Sequence, residues 1–109
     1  MLESVIERIE RGMRMEPYVL IIHEVEHYDA WKLVFDQAAD IRKAAGELSY
    51  QLLRDEASPR NLVHFSHWTS LDAAREFFQS PELVELRRAA GVHSPTFVYL
   101  ESVESGVLQ

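Results

Sequence analysis

Cysteine is absent from this chain of 109 residues. Its absence excludes disulfide bridges, metal sites built from thiolates and a cysteine nucleophile. Glycine and proline are also scarce, at four residues each, and they do not gather into a linker. A chain of this length without a linker or a repeat is expected to form one domain around one core.

Excess positive charge and long apolar runs are missing as well. The formal net charge is −7 and no basic cluster offsets it, so we expect no binding to nucleic acid or to acidic membranes. No apolar stretch approaches the roughly 20 residues that span a bilayer. Acidic residues interrupt the first 13 positions, a pattern that is not typical of a secretion signal. The expectation is a soluble cytoplasmic protein.

Residues 1–15 are predicted to form an amphipathic helix that precedes the main domain at 16–109. Five apolar residues form one helical stripe there: Leu2, Val5, Ile6, Ile9 and Met13. Two interpretations stay open for this stripe. It covers an edge of the core, or it packs on a partner subunit.

Apolar periodicity in the main domain predicts the element order βαββαβ. Strands are expected at 18–26, 48–56, 62–69 and 95–103. The first helix is expected to begin at an Asp29 cap, to bury Ile41 and to end at Gly46, while Ser70 and Ser80 cap the later helical segments. This order is typical of an α+β, ferredoxin-like fold, with helices on one face of a four-stranded antiparallel sheet.

The first strand is apolar on both of its faces. Val19, Ile21 and Val25 alternate with a second apolar set, Tyr18, Leu20 and Ile22. The helices can cover only one face of the sheet, so the other face is expected to pack against a second sheet. The simplest supplier is another copy of the chain, and a homodimer is predicted.

Three stretches resemble the dimeric α+β barrel superfamily, in particular its antibiotic-biosynthesis-monooxygenase-like domains. They are HEVEHYDAWKLVFD at 23–36, GELSYQLLRDEASPRNLVHFSHWTSLDAAREF at 46–77 and SPELVELRRAAGV at 80–92. The superfamily includes cofactor-free oxygenases of polycyclic aromatic substrates, haem-degrading enzymes, polyketide cyclases and isomerases. The resemblance therefore implies a dimeric barrel and leaves the activity open.

The resemblance also implies a ligand pocket between the sheet and the helices. Oxygenase-like members line it with a polar residue on the first strand and a tryptophan on the third, which correspond here to His23 and Trp68. Leu83 stands where haem-degrading members carry an iron-binding histidine, which argues against haem. No cofactor is expected.

Strand alternation sorts the candidate side chains of the third strand. His64, Ser66 and Trp68 share one face, and His67 points the other way. We predict that His23 and Trp68 line one cavity beneath the helices, with His64 beside them. Further candidates for contact with a ligand are aromatic: Trp31, Tyr50 and Tyr99. The competing interpretation makes His23 a core histidine with a protein partner and the tryptophans packing residues.

Histidine spacing does not indicate a metal site. His23 and His27 are four residues apart, a separation that spans roughly 13 Å along a strand. His64 and His67 point to opposite faces, and no acidic residue completes a ligand set by spacing. No metal is expected.

Two functions of different classes remain open. The first is a cofactor-independent monooxygenase, or a related cyclase or isomerase, that acts on a small apolar and aromatic molecule. His23 would then remove or relay a proton while Trp68 holds the ring. The second is a non-catalytic dimer that binds a small ligand or serves as a structural unit. An open cavity that exposes His23 favours the first, and a closed, dry interface favours the second.

Overall fold

The computed structural model describes residues 15–109, apart from the side chain at position 94. The helix predicted at 1–15 thus lies outside the described residues, save for its last position. The described chain runs through β1 (Pro17–Val25), α1 (Tyr28–Gln37), α2 (Ala39–Ala45), β2 (Glu47–Arg54), β3 (Asn61–Trp68), α3 (Leu71–Gln79), α4 (Pro81–Ala89) and β4 (Val92–Glu101). The predicted order is confirmed, with each helical segment divided in two.

The four strands form one antiparallel sheet in the order β2-β3-β1-β4. This arrangement confirms the ferredoxin-like α+β fold. In the register between β1 and β3, Ile21 lies opposite His64 and His23 lies opposite Leu62. Directly paired side chains share a face of an antiparallel sheet, so His23 and His64 project from the same face of neighbouring strands.

Two predicted serine caps are confirmed. The Ser70 hydroxyl accepts a hydrogen bond from the Ala73 backbone N–H at 3.0 Å at the start of α3. The Ser80 hydroxyl accepts one from Leu83 N–H at 3.3 Å, and Pro81 takes the first position of α4. These bonds satisfy backbone donors that the first helical turn leaves free.

Two details of the first helical segment differ from expectation. Helix α1 begins at Tyr28, after an extended His27 that makes no side-chain cap bond, so Asp29 lies in the first turn rather than at the cap. In α2, Ile41 is 51% exposed while Arg42 is only 7% exposed. The buried stripe of α2 therefore includes Arg42 and excludes Ile41. A carboxylate in the interior pairs with the arginine and offsets the cost of burying its charge.

Gly46 ends α2 as predicted. Its φ is +122°, and a Cβ built there would approach the Thr69 hydroxyl oxygen to 2.5 Å. Only glycine adopts this conformation without strain. The sharp turn leads directly from the helix into Glu47, the first residue of β2.

Apolar side chains fill the space between the sheet and the helices in two clusters. The buried members of the first are Val19, Ile21, Trp68, Ala74, Phe78 and Leu83. Those of the second are Val25, Trp31, Phe35, Leu62 and Ala90. Polar residues are also buried in this interior, namely His23, Arg42, Glu47, His64 and Ser66.

The opposite face of the sheet carries the second apolar set of β1. Tyr18, Leu20 and Ile22 are half-buried there. The Tyr18 ring stacks on Phe65 with 5.2 Å between centroids and on His67 with 4.7 Å. Val98, on the neighbouring strand, is 39% exposed. This apolar sheet face, defined by these residues, is the surface for which a partner sheet is predicted.

No helix within residues 15–109 has the length and hydropathy needed to cross a membrane.

Candidate functional site

A cavity opens between the helix-covered face of the sheet and helices α1 to α4. The cavity has a volume of about 60 Å³ and is open to solvent at its mouth. It is lined by His23, Trp31, Val34, Phe35, Ala38, Arg42, His64, Phe77, Phe78, Leu83, Leu86, Arg87 and Ala90. A mostly apolar lining with a few converging polar groups is typical of a small-molecule site.

His23 projects into this cavity from β1. The residue is 5% exposed, and its ring lies 5.5 Å from that of Trp31 between centroids. Burial, together with the nearby His64 and Arg87, lowers the pKa of His23 from 6.5 to about 3. Its Nδ1 atom is buried and has no hydrogen-bond partner among residues 15–109. His23 is therefore neutral at physiological pH, and its Nδ1 lacks the protein partner that the competing interpretation expects.

His64 enters the cavity from β3 and belongs to a buried network of charged groups. Its Nε2 lies 2.6 Å from Glu47 Oε2, and Arg42 Nη1 lies 2.7 Å from Glu47 Oε1. The Arg42 guanidinium carbon also sits 3.7 Å from the centre of the Phe35 ring. The carboxylate thus holds a histidine on one oxygen and an arginine on the other.

Sequence reasoning did not identify Arg42 or Glu47. One signal was present, because Arg42 follows Phe35 by seven residues and Ala38 by four, on the stripe that faces the core. A second was the placement of opposite charges on either side of the helix-ending Gly46. Neither signal connects these residues to His64, which lies 17 residues beyond Glu47.

Arg87 contributes a second cation to the cavity lining. Its Nη2 donates to the Phe78 carbonyl at 3.1 Å, and its guanidinium carbon lies 5.0 Å from the centre of the Phe97 ring. Burial lowers the pKa of Arg87, an effect that Tyr99 opposes. Its Nη1 atom is buried and finds no hydrogen-bond partner in the part of the chain that the structure describes.

The buried polar atoms without partners belong to residues that line the cavity. Within residues 15–109, the buried side-chain nitrogen and oxygen atoms that lack a hydrogen bond are His23 Nδ1, Arg42 Nε and Arg87 Nη1. All three residues line the cavity. Unsatisfied buried groups are costly, and a ligand with acceptor oxygens could satisfy the two arginine donors.

Trp68 departs from the prediction. It projects from the expected face of β3, but it is fully buried and does not belong to the cavity lining. Its indole N–H donates to the Ser66 hydroxyl at 2.8 Å, and its ring packs 5.2 Å from that of Phe78. The expectation that Trp68 lines the cavity with His23 is wrong, because four residues along a strand separate it from His64 by roughly 13 Å.

Among the other aromatic candidates, the structure brings only Trp31 to the cavity. Its ring is 4% exposed and stacks on Phe35 at 4.9 Å. Tyr50 projects from the same sheet face as His64 but is 51% exposed. The centre of the Tyr99 ring lies 4.8 Å from the guanidinium carbon of Arg75. Neither tyrosine lines the cavity.

The remaining histidines lie away from the cavity. His67 is on the apolar sheet face, where it bonds to Glu16 at 3.0 Å. His93 is exposed, and its Nε2 lies 2.5 Å from Glu26 Oε1. His27 is also exposed. In the part of the chain that the structure describes, no group of three or more histidine and acidic residues could hold a metal ion.

Comparison with known proteins identifies relatives of this fold. The sequence profile of the family described as antibiotic biosynthesis monooxygenase matches residues 23–89, more than half of the chain. SnoaB, a cofactor-independent oxygenase from Streptomyces nogalater, is 18% identical with a TM-score of 0.67, over 84% of this chain and 96% of SnoaB. A comparison with curated proteins gave no match.

Two further solved structures share the fold. The monooxygenase ActVA-Orf6 of Streptomyces coelicolor, in complex with nanaomycin D, is 20% identical with a TM-score of 0.58, over 88% of this chain and 94% of its own. A conserved protein of Methanosarcina mazei Go1 is 10% identical with a TM-score of 0.66, over 85% and 98% of the two chains. At these identities the likeness concerns the fold alone.

Proposed function

Because the chain belongs to the antibiotic biosynthesis monooxygenase family, we propose that it is a cofactor-independent monooxygenase that acts on a small apolar, aromatic molecule. One observation carries the proposal. The cavity joins two buried histidines and two arginines to aromatic walls, and it is open at its mouth. Apolar walls with few polar groups suit a ring that carries one or two oxygen substituents.

The proposed reaction begins with removal of a proton from an acidic C–H or phenol O–H. The electron pair stays on the substrate, and the resulting anion reduces O₂ directly. For an acidic CH₂ group, one oxygen atom of O₂ becomes the new carbonyl and the other leaves as water with the two hydrogens. The protein then has to hold the ring, accept a proton and keep bulk water out.

His23 and Arg87 are assigned complementary roles in this reaction. Neutral His23 can hydrogen-bond to the substrate oxygen or relay a proton, since its lowered pKa leaves it uncharged at neutral pH. Arg87 offers a positive charge and an unpaired N–H where negative charge develops on the substrate. Trp31 and Phe35 provide flat apolar walls for the ring. A cyclase or isomerase would use the same proton removal without O₂.

We further propose that the protein works as a homodimer that pairs the apolar sheet faces of two copies. Tyr18, Leu20 and Ile22 lie half-buried on a face that the helices do not cover. Apolar surface of this kind is favourably removed from water by a second sheet. The cavity lies on the opposite face, so each subunit would keep its own site.

A non-catalytic dimer that binds a small ligand is the second candidate. The small size of the cavity favours it, because its volume is only about 60 Å³. A ligand of several rings would require the helices to move outward. Weak basicity of His23 also favours binding over proton removal.

Oxygen uptake tests the proposal directly. The purified protein is mixed with anthrone, 1-naphthol or 1,4-naphthohydroquinone, and O₂ consumption and ligand binding are both measured. We expect turnover of at least one compound, loss of turnover in His23→Ala, and retention in His27→Ala, which removes an exposed histidine instead. Binding without O₂ consumption would support the second candidate, and absence of both would overturn both.

A further inference from the structure

The two histidines of the cavity have different partners. His64 Nε2 contacts Glu47 Oε2 at 2.6 Å, whereas within residues 15–109 His23 makes no bond to a carboxylate and its Nδ1 has no partner. They project from neighbouring strands as diagonal neighbours, roughly 7–8 Å apart. One ligand can therefore reach both rings.

We infer that Glu47 is a positioning residue that holds His64 with its proton on Nε2, so that His64 Nδ1 is the proton acceptor of the cavity. The inference rests on the proposed function for its chemistry, although the position of the proton can be measured without a substrate. His23 then serves as a neutral hydrogen-bonding group and not as the base.

The tautomer of His64 follows from the chemistry of its partner. A carboxylate bonded to a guanidinium accepts hydrogen bonds and has no proton to donate, so the contact with Glu47 requires an N–H on His64 Nε2. The lone pair of the neutral ring is then on Nδ1. Within residues 15–109 the contact of His64 with Glu47 uses Nε2 and leaves Nδ1 without a hydrogen bond, and His64 lines the cavity.

Arg42 fixes the carboxylate in place. Its Nη1 donates to Glu47 Oε1 at 2.7 Å and its Nη2 donates to the Phe35 carbonyl at 3.3 Å. The guanidinium also stacks on the Phe35 ring at 3.7 Å. Glu47 is therefore held by groups on two sides, and its orientation imposes the orientation of the His64 ring.

The same arrangement places a counterion beside His64, at 2.6 Å from its Nε2. A proton that moves from the substrate to His64 Nδ1 creates an imidazolium beside the Glu47 carboxylate, and the electron pair stays on the substrate. The Nε2 proton remains in place and Glu47 remains ionised, as in hydrolases that pair histidine with a carboxylate. His23 has no such counterion, and burial opposes its charging.

Nitrogen NMR of the intact ¹⁵N-labelled protein tests the tautomer. We expect the His64 ring to show a protonated Nε2 and an unprotonated Nδ1 at neutral pH. In Glu47→Gln the amide can donate or accept, so a mixture of tautomers is expected. Glu16→Gln, which removes the exposed carboxylate beside His67, should leave the His64 signals unchanged. A protonated His64 Nδ1 in the unmodified protein would overturn the inference.

Binding of 4-nitrophenol tests proton acceptance without any turnover. The ionised form of this single-ring phenol absorbs visible light, and the same sample reports the protonation of each histidine by NMR. We expect bound phenolate together with a newly protonated His64 Nδ1, and Glu47→Gln should weaken phenolate binding about tenfold or more. Protonation of His23 instead, or no change in either ring, would overturn the inference.

Two features of the design separate a failure of this inference from a failure to fold and from a failure of the proposed oxygenase. If Glu47→Gln does not fold, the double variant Arg42→Gln/Glu47→Gln removes both buried charges and takes its place in both measurements. Oxygen uptake addresses the proposed oxygenase, whereas the position of the proton and the phenolate signal address His64. A protein that binds phenolate through His64 but consumes no O₂ would support the inference and contradict the oxygenase.

Discussion

Arg42 Nη1 lies 2.7 Å from Glu47 Oε1 in the interior of the domain, where each residue is only 7% exposed. Each charge is compensated by the other, and neither has bulk water as an alternative partner. Removing one member of such a pair leaves an uncompensated buried charge, which costs far more than the pair itself contributes. The pair is therefore a sensitive point for stability.

Arg42→Met is expected to lower the free energy of unfolding by about 3–5 kcal/mol, because it strands the Glu47 carboxylate. The double variant Arg42→Met/Glu47→Leu should recover much of that loss, since both charges are gone. Urea denaturation followed by circular dichroism measures both. Lys32→Met breaks an exposed pair with Asp36 of similar length, 2.6 Å, and should have little effect. A loss for Lys32→Met equal to that for Arg42→Met would contradict the argument.

The stability of the protein should fall with acidification because of His23. The unfolded side chain takes up a proton as the pH falls through 6.5, whereas the folded one does so only near 3. Between these values the unfolded state binds more protons, so stability that is present above pH 6.5 is lost towards pH 3. The slope from this residue is at most about 1.4 kcal/mol per pH unit.

His23→Leu should reduce that slope, and unfolding by urea at pH 7, 6, 5 and 4 would measure it. His27→Leu removes a histidine from the surface and should keep the slope of the unmodified protein. If His23→Leu and the unmodified protein lose stability in parallel, His23 already takes up its proton in the folded state.

The proposed dimer can be dissociated by charge on the apolar sheet face. Ile22 is half-buried on this face, whereas Ile21 beside it is fully buried under the helices. Ile22→Glu should therefore halve the mass measured by light scattering after gel filtration, because a carboxylate cannot be buried there without a partner. Leu33→Glu, at a helix position that is 59% exposed, is the matched control and should stay dimeric. An unmodified protein that is monomeric at micromolar concentration contradicts the dimer.

Fluorescence can locate the ligand relative to the two tryptophans of the chain. Trp31 lines the cavity and Trp68 does not. A quinone bound in the cavity should therefore quench Trp68→Phe, where Trp31 is the only emitter, more strongly than Trp31→Phe. Titration with 1,4-naphthoquinone measures the difference. Stronger quenching of Trp31→Phe, in which Trp68 is the emitter, would indicate that the ligand lies closer to Trp68 than to Trp31.

The sequence by itself determined the order of the elements, which side chains of β1 and of β3 share a face, and most of the helix caps. These features depend on local rules. Side chains alternate along a strand, so His23 could be placed with Val19 and Ile21, and serine hydroxyls at positions 70 and 80 satisfy the first free N–H groups of their own helices. The apolar second face of β1 followed from the same alternation.

Only the tertiary structure decided what the cavity contains. Arg42 is charged, so the apolar pattern of the sequence predicted burial of Ile41 instead. The partner that allows Arg42 to be buried, Glu47, lies on another element. Trp68 shares a face with His64, yet helix α3 covers it and the indole bonds to Ser66. The physical reason is common to both cases. Whether a buried polar group is stable depends on partners from other elements, and distances between elements are absent from spacing along the chain.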